Sequence, residues 1–447
     1  RLTDSKIGSL LEQIELDDDL DDVQSANIRL TRESYDRATK LPTEFVEEMA
    51  KHRSKALISW TEARQKDDFS IFRDDLAIAI EHARKKADFY GYENLRYDAL
   101  LDVYESGLTV KRLDPLFSGL RDNVAPLIRA VVNSGNRPDI SWVEDNSWSQ
   151  AAQEELSQRV SEAIGFDFSA GRRDLSTHPF CGGPNPDDVR WTTRYREDEP
   201  FGSLFGSMHE TGHGTYEQGR PRQFDFQPAG KANGLGIHES QSRLWENQVG
   251  RSREFCEWSL PLWKKCFPNN MDGIDSEQLW QAVNLVEPGL IRVDADEATY
   301  NLHIMIRYEI EKQLIAGEIE VDELPDAWDE MYQEYLGIKP PNRSLGVLQD
   351  VHWSMGAIGY FPTYTLGNLY AAQLLEAARD DLPTHDDQIR SGDFEHILGW
   401  MRENVHNRGS VLRPADLIEE ATGSSPSPDA FVRYLTSKVE RLYGVIA

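Results

Sequence analysis

His209-Glu210-Thr211-Gly212-His213 is an HExxH pattern. On a helix of 3.6 residues per turn, positions four apart share one side, so His209 and His213 can bring two imidazoles to one metal ion. Neutral imidazole suits Zn²⁺, and Glu210 on the adjoining flank can take a proton from water. With 11 His in 447 residues, random order would give roughly 0.02–0.03 such patterns, so chance pairing of two ordinary histidines is a poor account. A catalytic zinc keeps three protein ligands and an open position. Gly236-Ile237-His238-Glu239-Ser240-Gln241 offers two candidates for the third, with Glu239 standing 26 residues beyond His213. Glu239 is taken as the ligand, because His₂Glu is an established catalytic set. His238 is left beside it as a substrate-contacting or supporting group. Affinity order leaves room for Co²⁺ as a substitute.

Those side chains need elements to hold them. Pro200 precedes the motif, Leu204, Phe205 and Met208 give an apolar face, and Gly219 follows as a stop, so a helix is expected there. Just upstream, Val189, Trp191, Thr193 and Tyr195 alternate with Arg190, Thr192, Arg194 and Arg196. That period of two predicts a strand, and the CGGPNPDD before it predicts a loop. Elsewhere helical periodicity dominates. Leu113, Leu116, Phe117, Leu120 and Val124 form one apolar face, with Asp114-Pro115 as a start signal. Residues 43–64, 69–90, 298–316, 324–336 and 364–380 also read as helices, and a last one follows Ser427-Pro428 and stops at Gly444. With neither repeats nor a low-complexity linker, the expectation is one large, mainly α unit with a small sheet beside the HExxH helix.

Composition narrows the function classes. Lys and Arg number 48 against 77 Asp and Glu, a net charge of −29. This argues against a nucleic-acid or anionic-membrane surface, which needs clustered cations. No run approaches the roughly 18 apolar residues of a membrane span. The opening RLTDSKIGSL lacks the basic and apolar regions of a secretory signal, so a cytoplasmic protein with reduced thiols is expected from the three cysteines Cys181, Cys256 and Cys266. Only 14 of the 48 cations are Lys, a balance that suggests adaptation to salt. Since the Debye length falls from about 30 Å at 0.01 M to about 3 Å at 1 M, the melting temperature of the metal-loaded protein should rise between those salt concentrations. A flat or falling melting temperature would show the acidity to be ordinary solubility.

Six ordered motifs between residues 178 and 365 resemble the M32 metallocarboxypeptidases, the carboxypeptidase Taq type. They are His178-Pro179-Phe180, Asp188-Val189-Arg190-Trp191-Thr192, the HExxH, His238-Glu239-Ser240-Gln241, the stretch from Ile291-Arg292 to Ala295-Asp296, and Gly346 to Gln349-Asp350-Val351-His352-Trp353. The resemblance implies a mostly helical fold with a deep active-site groove, a small sheet beside the zinc and a homodimer. It implies removal of C-terminal amino acids from peptides with broad specificity. It also suggests one peptidase domain over 1–447, with an N-terminal helical region at about 1–135, a catalytic region at about 178–365 and C-terminal helices at about 366–447.

Roles follow from that chemistry. Glu210 is the general base and then the acid. An oxyanion donor besides the metal is needed, and Tyr364, then Tyr360, are chosen because their segment resembles the donor-tyrosine segment of related helical zinc peptidases. A free α-carboxylate calls for the planar fork of Arg. Arg292 ranks ahead of Arg190 and Arg343, with His238 and His352 as supporting donors. Asp294, Asp296 and Asp350 are candidates for orienting imidazoles. The competing readings are a helical zinc endo- or oligopeptidase, and a binding scaffold around a structural zinc.

Overall fold

A computed structural model describes residues 2–17 and 19–445. The chain is mainly α, with nineteen α-helices and one three-stranded sheet among those residues. It divides into two compact units interleaved along the sequence, residues 1–128 with 286–365 and residues 129–285 with 366–447.

In the first unit, Thr43–Lys66 and Ser70–Tyr90 pack as a helical hairpin. Phe45 meets His82 and Phe89 with ring centroids at 5.6 and 5.2 Å. Helix Glu297–Ala316 is buried nearly all round, and Asp296 caps its start by accepting from the backbone N–H of Ala298 and Thr299. Near its end the fully buried Glu311 accepts three hydrogen bonds, from Tyr97 Oη (2.6 Å), Trp353 Nε1 (2.8 Å) and the backbone N–H of Gly359 (2.8 Å). Gly359 has φ +89°, and a Cβ there would lie 2.9 Å from the Leu100 carbonyl, so Glu311 fixes a turn that only glycine can make. Burial pushes the Glu311 carboxyl up to about 7, even against those three donors.

A carboxyl raised in this way stabilises most below the unfolded value near 4.3, and its contribution is lost as pH rises through about 7. The stability advantage of the parent over Glu311→Gln should therefore shrink by about 2 kcal/mol between pH 5 and pH 8. Denaturant unfolding at the two pH values measures it, and an advantage that grows with pH would contradict it.

The expected helices at 43–64, 69–90, 298–316, 324–336 and 364–380 are present, as Thr43–Lys66, Ser70–Tyr90, Glu297–Ala316, Leu324–Leu336 and Pro362–Asp381. The final helix, Asp429–Tyr443, ends at Gly444 with φ +65°. One start signal differs. The stretch expected to be helical from Val110 does start there, with the Val110 N–H taken by Asp98, but Asp114-Pro115 is not its start signal, because Pro115 lies inside the helix. Asp114 instead accepts from Tyr308 Oη and Lys312 Nζ. As the sixth residue of this helix, Pro115 leaves the Lys111 carbonyl without its helical hydrogen bond.

The second unit holds helix Pro200–Gly219, which carries HExxH and has Pro at its start. It packs on helix Gln150–Ile164, on helix Leu235–Arg243 and on the sheet. The strands β1 (Gly171–Leu175), β2 (Cys181–Asn185) and β3 (Asp188–Thr193) lie in the order β1-β3-β2, with β1 parallel and β2 antiparallel to β3. Val189, Trp191 and Thr193 are buried while Arg190 is exposed, as the alternation predicts, but Thr192, expected on the outer face with Arg190, is buried as well. The loop expected over CGGPNPDD is a correction, because residues 181–185 pair as a strand. Edge position makes Pro184 tolerable, and Gly183 permits an approach in which a Cβ would sit 2.2 Å from the Asp188 carbonyl. The three cysteines are free. Cys256 and Cys266 share helix Arg253–Cys266, which at ten residues apart separates them by about 15 Å, too far to bridge. No helix among the described residues is long and apolar enough to cross a membrane.

Candidate active site

His209 and His213 stand one turn apart on helix Pro200–Gly219, and Glu239 faces them from helix Leu235–Arg243. Glu239 Oε2 lies 3.6 Å from His209 Nε2 and 3.5 Å from His213 Nε2. Ligand atoms held 2.0–2.1 Å from a tetrahedral zinc are roughly 3.4 Å apart, so two imidazoles and one carboxylate oxygen fit such an ion. Among the described residues this is the one group of three potential ligands that converges in this way. The two helices come close because residue 212 is glycine, where a Cβ would lie 2.5 Å from the Gln241 carbonyl and 2.7 Å from Ser242 Cα. Gly367 plays the same part behind Glu239, where a Cβ would sit 2.4 Å from Glu239 Cγ.

Each ligand is tied down on its other side. His209 Nδ1 lies 2.8 Å from Glu246 Oε2. Glu239 Oε1 accepts from Arg243 Nε at 2.6 Å, and Arg243 also reaches Glu246 at 3.1 Å. His213 Nδ1 lies 2.6 Å from His238 Nδ1, and His238 Nε2 lies 2.8 Å from Glu217 Oε1, whose other oxygen meets Arg220 Nε at 2.6 Å. If His213 ligates through Nε2, its Nδ1–H must donate to His238, which then donates its Nε2–H to Glu217. His209 is thus oriented by a carboxylate directly, and His213 through the imidazole of His238.

The charges follow this wiring. Burial works to raise the Glu239 carboxyl, but Arg243 and the two imidazoles hold it well below the usual carboxylate range. Glu246 is likewise brought down to about 2, against burial, chiefly by Arg243 and His209. Burial and the neighbouring His238 take His213 down to about 3, so its imidazole is held neutral, the form a metal would take. Glu210, only 5% exposed, is pushed up to about 7, first by burial and then by Glu239 and Glu246, against His209. Its Oε2 has no hydrogen-bond partner within the protein. A buried carboxylate oxygen beside a ligand set and left unbonded suits a group that works on water.

The first unit brings together four of the other candidates. Arg292 is buried, its Nε 2.9 Å from Asp350 Oδ1 and its Nη1 3.2 Å from Tyr300 Oη. Its guanidinium carbon lies 5.2 Å from the Tyr364 ring centroid. Tyr364 Oη is 3.3 Å from His352 Nε2, and Tyr360 packs edge-on to Tyr364 at 5.3 Å. Asp350 serves a second buried guanidinium, Arg307, at 2.6 Å, so the pair of arginines carries one uncompensated positive charge. Both cations hold the Asp350 carboxyl far below its usual range despite burial. The other two candidate arginines, Arg190 in the second unit and Arg343 in the first, are paired with carboxylates of their own. Arg190 is exposed and forks onto Asp188 at 2.7 and 2.8 Å, and Arg343 pairs with Asp329 at 3.0 Å.

The sequence profile of the carboxypeptidase Taq (M32) metallopeptidase family matches residues 1–439. The chain belongs to that family. It is accordingly a metallocarboxypeptidase, a peptide hydrolase. Thermostable carboxypeptidase 1 of Thermus thermophilus is 42% identical over 99% of this chain and 89% of its own length. Carboxypeptidase 1 of Bacillus subtilis is 41% identical over 95% and 85%. The crystal structure of M32 carboxypeptidase from Deinococcus radiodurans superposes with a TM-score of 0.96, at 38% identity over 99% of this chain and 89% of that one.

Within this M32 chain, Glu217, Arg243, Glu246 and Arg307 were not singled out from sequence. Glu217 stands four residues after His213, and Arg243 and Glu246 stand four and seven after Glu239, so helical spacing alone marks all three as sharing the ligands' faces. Glu246 lies in a π-helical turn, Leu244–Val249, a feature frequent at functional sites. The orienting groups of the two imidazoles are therefore Glu246 and the His238–Glu217 pair. Asp296 caps a helix and Asp350 holds arginines. Glu217→Ala should weaken metal binding about 10–100-fold, the range found when such outer partners are lost. Competition with a chelator measures it, and an unchanged dissociation constant would make the His238–Glu217 link incidental.

Proposed function

We propose that this chain removes amino acids from the free C-termini of peptides with broad specificity, using Zn²⁺ held by His209, His213 and Glu239, with Co²⁺ able to replace it. The observation that carries the reading is the convergence of those three ligand atoms beside a buried, unbonded Glu210 oxygen. When bound, the ion supplies Lewis acidity, acidifying water and polarising the scissile carbonyl. Glu210 takes the proton of the attacking water and returns it to the leaving amine. Glu246 and the His238–Glu217 pair keep both imidazole Nε2 atoms turned inward, and Arg243 keeps one Glu239 oxygen occupied so that the other is presented. Arg292 anchors the substrate carboxylate, a role supported by the surplus positive charge it shares with Arg307. Tyr364 donates a hydrogen bond to the oxyanion, supported by its place beside His352 and Arg292, with Tyr360 as the alternative donor and His352 as a supporting group. Residues 1–447 act as one peptidase domain, in a cytoplasmic homodimer.

The test is a pair of N-terminally blocked peptides that differ only in a free or amidated C-terminus. The free acid should be shortened from its end and the amide left nearly intact. Equal cleavage of both would favour the endo- or oligopeptidase reading.

A further inference from the structure

Two of the three hydrogen bonds that the fully buried Glu311 accepts come from one short segment. Its Oε1 accepts from Trp353 Nε1 at 2.8 Å, and its Oε2 accepts from the backbone N–H of Gly359, also at 2.8 Å. Trp353 directly follows His352, and Gly359 directly precedes Tyr360. One carboxylate therefore ties both ends of the turn that carries His352 and Tyr360. Those two rings meet with centroids 5.5 Å apart. Both also reach Tyr364: His352 Nε2 lies 3.3 Å from the Tyr364 hydroxyl, and the Tyr360 ring packs edge-on at 5.3 Å. All of these residues lie in the first unit. The third donor, Tyr97, comes from helix Arg96–Leu101, outside the turn. The chemistry here calls for a carboxylate. An ionised carboxyl offers acceptors on both oxygens, whereas an amide offers one oxygen and one NH₂. In Gln, an oxygen turned to Gly359 would set the NH₂ against the Trp353 N–H, and the opposite turn would set it against the Gly359 N–H. Either way one end of the turn is released, and a buried donor is left unpaired.

We propose that Glu311 is a positioning residue for the reaction, holding the turn from His352 to Tyr360 so that the Tyr364 hydroxyl keeps its place as donor to the oxyanion. This rests on the reading of Tyr364 as that donor. Glu311 itself touches no reacting atom in this account. It acts through Trp353 and Gly359, and from them through the two rings packed against Tyr364. A hydrogen-bond donor that stabilises developing charge must already be in place when the charge appears, so a small displacement of its hydroxyl lowers the rate of the chemical step.

The experiment uses the full-length, metal-loaded protein and a blocked free-acid peptide at pH 8, where the Glu311 carboxyl is largely ionised. Tyr364→Phe should lose about 10²-fold in kcat, as removal of an oxyanion donor does. Glu311→Gln should lose about tenfold in kcat with KM and metal content near the parent's, because a misplaced donor weakens the transition state more than the bound substrate. The two losses should not multiply. On the Tyr364→Phe background, Glu311→Gln should change kcat less than about twofold. Where Glu311→Gln fails to fold, Trp353→Phe keeps a ring, frees one end of the turn and should show the same loss. Tyr97→Phe takes a donor from the same carboxylate but leaves both ends of the turn held, so it should lower the melting temperature and leave kcat near the parent's. A parent-like kcat in whichever of Glu311→Gln and Trp353→Phe folds overturns the positioning role and leaves the donor reading standing. So does a loss that persists undiminished on the Tyr364→Phe background, or an equal loss in Tyr97→Phe. Parent-like turnover in Tyr364→Phe overturns both.

Discussion

Glu210→Gln should bind one metal ion as the parent does and lose about 10³-fold or more in kcat. The amide has the shape of the carboxylate, so the packing of helix Pro200–Gly219 and the converging ligand atoms should persist. What is lost is a group able to take a proton. No neighbour can stand in for it, because Glu239 is committed to Arg243 and the two imidazoles, and Glu246 to Arg243 and His209. General acid–base catalysis contributes about 10²–10⁴-fold, and a residue serving first as base and then as acid should lie towards the upper end. Metal analysis alongside steady-state rates checks it. Full metal content with near-parent turnover would remove Glu210 from the mechanism.

Arg292→Ala should lower kcat/KM on free-acid peptides about 10²–10³-fold without reducing metal content, since all three candidate ligands lie in the other compact unit. Truncating one partner of a buried, hydrogen-bonded charge pair costs about 2–5 kcal/mol, which brackets that range. Because Arg292 is also held by Asp350 and Tyr300, Arg292→Lys is the informative companion. It keeps a charge beside Asp350 but loses the planar fork, so it should fold like the parent and still bind the carboxylate poorly. The measurement is the ratio of free-acid to amide cleavage. Both variants should drive that ratio towards one, and a parent-like ratio in both would move the anchor elsewhere.

The convergence of His209 and His213 was legible because their spacing is set by one helix, and that of Glu239 because it stood in a short polar stretch that folds as the next helix of the site. The strand Asp188–Thr193 was legible from its alternation, which matches a sheet buried on one face. Strand β2 was not, because Gly182, Gly183 and Pro184 carry turn signals and its pairing depends on a neighbour further along the chain. Tertiary context likewise decided Asp114, which looks like a cap and is instead a partner for Tyr308 and Lys312. Arg307 shows the same limit. It stands among Leu302, Ile304, Met305, Ile306 and Ile310 on a helix buried nearly all round, a position that signals a paired charge without naming Asp350 as its partner.

The central claim is that metal at His209, His213 and Glu239 drives stepwise removal of C-terminal residues. Mass spectrometry of a blocked peptide over time, with chelator and then with zinc restored, tests it most directly. The account predicts a ladder losing one residue at a time from the C-terminus, halted by chelator, resumed with zinc, and absent in Glu239→Ala. Internal fragments, or a ladder that continues undiminished in chelator, would contradict it.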